Sequence, residues 1–241
     1  MNRSCYYCGS VNIVKNGRTY YGKARCRCKN CGKQFVLERQ NRSLSPEQKR
    51  LVELLLLERI SLSGICRVLE IPAYHLYRYM DELYGQVPEN LHAQVAAQAE
   101  LELYCYECES DELWSFVSFK ANKQWLWVAQ DRKSRQIVAI HLGDRGAAGA
   151  KGLWENIPVH YRQQATFFTD EWEAYKQVVP AEKHRASGRK KDTNHAERFF
   201  CTLRQRCSRL VRKALSFSKK FDRHLKAIKF FIANYNLSLL L

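Results

Sequence analysis

The chain has 241 residues, 46% of them hydrophobic and 12% aromatic, and its 40 Lys and Arg outnumber 24 Asp and Glu to give a formal charge of +16. That apolar content is enough for a real core and excludes a disordered chain, while the length suits one large domain or a catalytic domain with a small appendage. No apolar run approaches the roughly 20 residues of a membrane-spanning helix, and so large a positive excess, with a pI near 9.5, points to a polyanionic partner, above all nucleic acid.

The N-terminus lacks an apolar leader, which points to the cytoplasm. In that reducing compartment, paired cysteines suggest metal binding rather than disulfides. Residues 1–42 supply the pairs: Cys5 and Cys8 form one C-x-x-C, Cys28 and Cys31 another, each followed by a glycine. Two intervening residues let both sulfurs reach one side of a tight turn, and the glycine supplies the open backbone that the turn requires. This is the pattern of a four-thiolate zinc ribbon, with strands expected over 11–15 and 23–27 and a turn at Asn16-Gly17. So small a segment cannot hold a core without its metal.

Residues 43–86 are helical in pattern. Ser45-Pro46-Glu47 opens a first helix, with Ser45 as cap and proline at its first position. Ser61 begins a short second helix that Ile71-Pro72 ends, and 73–83 makes a third. Short helices joined by tight turns fit a helix-turn-helix whose last helix enters the major groove. Tyr74, His75, Tyr77 and Arg78 would then face DNA; the alternative is a plain three-helix bundle with the aromatics inside. Residues 87–100, with a proline and many small residues, read as a linker.

Residues 101–241 begin with strands and end with long basic helices. The stretch E-S-D-E-L-W-S-F-V-S-F from Glu109 alternates like a buried strand through Phe119. A turn at 120–123, a strand from Gln124, a turn at 131–135 and a strand from Gln136 complete an antiparallel meander. A helix over 147–155, a fourth strand over 165–169 and a helix over 171–177 follow. Asp111 sits on the first of these strands, and Asp170 ends the fourth, where open sheets place their ligands. A helix expected over about 193–214 puts Ala196, Phe200, Leu203, Cys207, Leu210 and Ala214 on one stripe. Glu197 falls at the margin of that stripe, with Arg198, Arg206, Arg209, Arg212 and Lys213 on its other side. Converging carboxylates suit two magnesium or manganese ions, yet Glu107, Glu109, Glu112, Glu171 and Glu173 crowd the same stretches, and residue spacing alone leaves the choice of acids open. Asp131 and Asp144 are explained by turn chemistry. From Lys183 to Lys229 sixteen Lys and Arg face three acids, a basic arc fit to hold phosphates without reading sequence. Lys190 and Lys191 fall in a loop expected to touch DNA.

Five motifs in order, C-Y-Y-C-G-S with R-C-K-N-C-G-K-Q-F, E-S-D-E-L-W-S-F-V, F-F-T-D-E-W-E-A-Y, T-N-H-A-E-R-F-F-C-T-L-R-Q-R and L-S-F-S-K, cover nearly the whole chain. Together they resemble the transposases of the insertion sequence one family. The resemblance implies a zinc ribbon, a helix-turn-helix and an RNase H-like α/β domain, a mixed sheet with helices over 101–241. It implies catalytic roles for Asp111, Asp170 and Glu197 as magnesium ligands, with Asn194 and Arg198 positioning DNA or the acids. The partners implied are double-stranded DNA, as element ends and as target, and a second copy of the chain, since two ends must be brought together. Two other functions fit the same motifs: a DNA-binding regulator without catalysis, and an RNase H-like nuclease that cuts without joining.

Overall fold

In the computed structural model the described residues are 4–36, 43–94, 107–186, 193–210 and 216–240, and the chain forms two compact units, Met1–Ser43 and Leu44–Leu241. The first unit is a small antiparallel sheet of β1 (Ile13–Arg18), β2 (Ala24–Cys28) and β3 (Gln34–Val36) in that order. Asn16-Gly17 lies inside β1 rather than at the turn. Gly17 takes φ +69°, the left-handed conformation that glycine tolerates, and the β1–β2 register slips there, between Lys15 and Arg18. The chain reverses later, where the Thr19 amide donates to the Lys23 carbonyl at 2.8 Å and the Gly22 amide to the Thr19 carbonyl at 2.9 Å. The unexpected strand β3 pairs Phe35 with Cys26. Cys26, Cys5, Cys28 and Phe35 are the unit's buried core.

In the second unit α1 (Pro46–Leu56), α2 (Leu62–Val68) and α3 (Ala73–Gly85) stand where the sequence placed them. Ser45 caps α1 in a reciprocal box with Gln48, and Ser61 caps α2 through the Gly64 amide, each satisfying amides that the first turn leaves unpaired. Val52, Ile65, Leu76, Met80 and Leu83 form the core of this bundle. Leu91, in the stretch read as a linker, is buried as well, and the remainder, 95–100, lies outside the described residues.

The mixed sheet consists of β4 (Glu107–Phe116), β5 (Lys123–Asp131), β6 (Ile137–Gly143), β7 (Thr166–Thr169) and β8 (His184–Ala186) in the order β6-β5-β4-β7-β8. The first three form the expected meander; β7 and β8 run parallel to β4. One face is covered by α4 (Ala147–Asn156), α5 (Val159–Gln164) and α6 (Glu173–Lys176) over Trp127, Phe167 and Tyr175. The other is covered by α7 (Asn194–Arg206) and α8 (Phe221–Ser238) over Leu126, Val128, Phe199, Leu203 and Ile232. This is the α/β class expected. Phe119, read as part of the first strand, is exposed in the β4–β5 turn. The helix expected to run to Ala214 is shorter: Cys207 takes extended backbone with ψ 107°, and a 3-10 turn follows at Ser208–Leu210. Ala214 lies outside the described residues. Among the described residues no helix is long and apolar enough to cross a membrane.

The basic C-terminal helix α8 is more buried than its charge suggests. Ile228 and Ile232 pack on the sheet side, and Ala227 and Phe230 on the α1–α3 bundle. Its fully buried His224 bridges the hydroxyls of Ser115 at 3.1 Å and Ser218 at 3.0 Å. Burial, helped by the nearby Arg209 charge, pushes His224 down from 6.5 to about 4. An unfolded chain therefore takes up a proton here below pH 6.5 that the folded chain refuses, so stability falls as pH drops toward 4, by up to about 3 kcal/mol. Melting curves at pH 7 and pH 5 should show this loss in the wild type and a smaller loss in His224→Asn; equal losses would count against it.

Candidate functional site

The four cysteines of the first unit converge. Their sulfurs all lie within 4.8 Å of one another, with Cys5–Cys31 and Cys8–Cys28 each at 3.6 Å. A tetrahedron of sulfurs about 2.3 Å from zinc has edges of about 3.8 Å, so the donor set fits that ion. The two knuckles repeat one hydrogen-bond pattern: the Gly9 amide bonds the Cys5 carbonyl at 2.8 Å, and the Gly32 amide bonds the Cys28 carbonyl at 3.0 Å. Both glycines have positive φ, +69° and +72°. The Cys31 backbone amide foremost draws the Cys28 thiol down while, against a backbone hydrogen bond, burial and the neighbouring thiols push Cys8 up, so one thiol of this pair is set toward the thiolate that a metal requires.

The acidic site forms where β7 stops. The parallel pairing of β4 with β7 ends at Glu109 and Phe168, so from Ser110 onward β4 has no strand partner on that side among the described residues. Into this gap project the carboxylates of Asp111, Glu112 and Asp170, all with oxygens within 4.8 Å of one another. Asp170 follows the strand end and accepts from the Trp172 amide at 3.0 Å. Burial foremost, then the charges of Glu112, Asp170 and Glu197, raises Asp111 to about 7 against the opposing Glu112 amide. Like charges gathered in a half-buried gap are a natural seat for a hard dication.

Glu197 stands exposed in the first turn of α7; its charge reaches Asp111, but it is outside the close group of three. Glu112, set aside in the sequence as one of several surrounding acids, occupies that place. It accepts from Arg145 Nε at 3.0 Å and from the Tyr175 hydroxyl at 3.3 Å. Arg145 in turn lies between the rings of Trp125 at 4.5 Å and Trp172 at 4.3 Å. A second acid was missed. Glu109 is fully buried and accepts from the amides of His195 at 2.8 Å and Ala196 at 3.1 Å. It thereby caps α7, whose own Thr193 makes no side-chain cap. Its other oxygen meets Arg132 Nε at 3.0 Å. Glu109 and Asp111 lie two apart on one strand and so share a face; the alternation that marks a strand could have flagged the pair.

A profile of the IS1 transposases matches residues 103–237. The chain belongs to the IS1 transposase family. The insertion element iso-IS1n protein InsB of Shigella dysenteriae is 36% identical over 128 residues, 53% of this chain and 95% of its own. The insertion element IS1 protein InsB of Shigella flexneri is 36% identical over 120 residues, 50% and 88% of the two chains. Among solved structures, the Mos1 transposase paired-end complex with left transposon end is a distant likeness, 10% identical with a TM-score of 0.33 over 80% of this chain and 76% of its own. The family match, together with these relatives, gives this chain the transposase activity expected, DNA cleavage and transfer.

Of the side chains expected to meet DNA in this transposase, Tyr74, Tyr77 and Arg78 are exposed on α3 and His75 is half-buried, the face opposite buried Leu76, Tyr79 and Met80. Asn194 and Arg198 are exposed on α7. Arg206 pairs with Glu58 at 2.8 Å, and Arg209 donates to the Ser216 carbonyl at 3.2 Å. Lys190, Lys191, Arg212 and Lys213 lie outside the described residues. Asp131 and Asp144 behave as turn residues: Asp131 accepts from the Lys133 and Ser134 amides and Asp144 from that of Gly146.

Proposed function

We propose that Asp111, Asp170 and Glu197 hold two divalent cations and cut and rejoin DNA, with the ribbon zinc-bound and α3 presented to the duplex. The observation that carries this is the convergence of Asp111 and Asp170 in the gap beyond β7, with Glu197 near enough to act on Asp111. Two such cations would activate the nucleophile and stabilise the leaving oxygen. Water attacks a phosphodiester at the element end, one P–O bond forms as another breaks, and a 3′-hydroxyl is freed. That hydroxyl then attacks target DNA by the same exchange of one P–O bond for another. The residues' part is positional: Asp111 is fixed within β4 and Asp170 just beyond the end of β7, and Glu197 would swing in from the helix. We further propose that residues 1–42, 43–86 and 101–241 act as ribbon, end reader and catalytic part, and that two copies join two ends.

The test is joining with pre-cut 3′-hydroxyl ends in magnesium. Joined product is expected; cutting without joining would support the nuclease reading, and binding with neither would support the regulator. The zinc proposal predicts that chelation releases about one zinc per chain and unfolds the ribbon, since such sites contribute about 10–16 kcal/mol of apparent folding energy. Amide exchange over residues 4–36 should become fast while that of β4–β6 stays slow. Protection of both regions after the metal is gone would sink it.

A further inference from the structure

The L-S-F-S-K motif near the C-terminus has no part in the acidic site, yet four of its residues, Ser216, Phe217, Ser218 and Lys219, line the wall of a cleft of about 480 Å³. The opposite wall comes from the start of α2 and the exposed side of α3, through Ser63 and Tyr77. Four cations border it, Arg209, Lys219, Lys220 and Arg223, and no Asp or Glu is among the lining residues. A merely solvated surface would mix the signs, as the chain's 24 acids would allow.

The two guanidinium groups are held before any ligand arrives. Arg209 is tied to the Ser216 carbonyl at 3.2 Å. Arg223 is tied to Asp81 at 3.2 Å and stacks on Tyr77 at 4.9 Å. The loop itself is anchored, the Ser218 carbonyl accepting from the Ser118 amide at 2.7 Å and Phe217 packing on Phe116 at 5.4 Å. Lys219 and Lys220 remain exposed at the rim. Fixed forks with exposed ammonium groups beside them suit phosphate oxygens. Phe116 ends the strand that carries Asp111, five residues or about 17 Å away along β4.

We infer that this cleft, between the helix-turn-helix and the sheet, is a phosphate-backbone site for duplex DNA, gripping the strand between the reading helix α3 and the acids. The inference rests on the transposase reading and adds a contact site to it. Phosphate contacts carry no sequence information, so the grip is the same for any sequence.

The experiment is binding of a short duplex of arbitrary sequence, read by fluorescence anisotropy across salt concentrations, for the wild type and for Lys219→Ala/Lys220→Ala. Two lost phosphate contacts reduce the slope of log affinity against log salt by about 1.8, so the wild type loses about tenfold more affinity than the variant between about 50 and 200 mM salt. Lys219→Arg/Lys220→Arg restores the slope, and Arg223→Gln lowers it independently. An unchanged slope in the alanine variant, with the wild type binding normally, overturns the cleft alone. A wild type that does not bind duplex DNA overturns both the cleft and the transposase reading.

Discussion

Asp111→Asn is expected to lower joining of a pre-cut element end by about 10³-fold or more, because the amide surrenders a charge whose cations contribute several kcal/mol in the transition state. Duplex affinity should stay within about twofold, since basic side chains carry it. The informative comparison is between the two neighbouring glutamates. Glu112 is the closer acid in the structure, but each of its oxygens already accepts a hydrogen bond, from Arg145 and from Tyr175. On the proposed reading it holds Arg145 between Trp125 and Trp172 rather than a cation. Glu197 is exposed and its charge reaches Asp111. The expected order is that Glu197→Gln matches Asp111→Asn in severity while Glu112→Gln loses less. The reverse order, read from single-turnover joining, would move the third ligand from α7 to β4.

Glu109→Gln should be the other severe variant, although Glu109 touches no reacting atom. Its carboxylate ties the start of α7 to β4 through the His195 and Ala196 amides and holds Arg132 as well. Removing the charge leaves Arg132 facing a neutral amide and loosens the turn that carries Glu197. Breaking a buried pair costs about 3–5 kcal/mol of stability, and a displacement of about 1 Å at a reacting centre costs about 100-fold in rate. A purely structural role would lower the melting temperature alone. The positioning role also raises the magnesium concentration needed for half-maximal joining, because one ligand must be brought back into place. Glu109→Asp, which keeps the charge, should recover part of the metal response; an unchanged magnesium requirement in Glu109→Gln would leave Glu109 a structural cap only.

Much of this was legible because the signals were local. Caps at Ser45 and Ser61, the proline after Ile71, and the repeated C-x-x-C-G each fix their own backbone, and the structure follows them. Alternation located β4 to β6, and a short apolar run located β7. What the sequence hid was decided at a distance. Asn16-Gly17 reads as a turn, but β1 uses it as a bulge that Arg25 fastens from the neighbouring strand through the Asn16 carbonyl at 3.0 Å. The three-residue strands β3 and β8 are too short to show a period. The end of α7 at Arg206 follows from Cys207 turning extended, against a helical pattern that continues past it. Glu109 and Glu112 looked like surface acids because their partners Arg132, Arg145, Tyr175 and the α7 amides come from elsewhere in the chain.

Acids from β4, the end of β7 and the start of α7 should share one pair of cations when DNA is bound. This sharing is tested most directly by a crystal structure of the chain with a pre-cut element end and manganese, the ions located by anomalous scattering. Two ions about 3.5–4 Å apart are expected, with oxygens of Asp111, Asp170 and Glu197 in their coordination shells. Ions bound without Glu197, or no ion in the gap beyond β7, would contradict this.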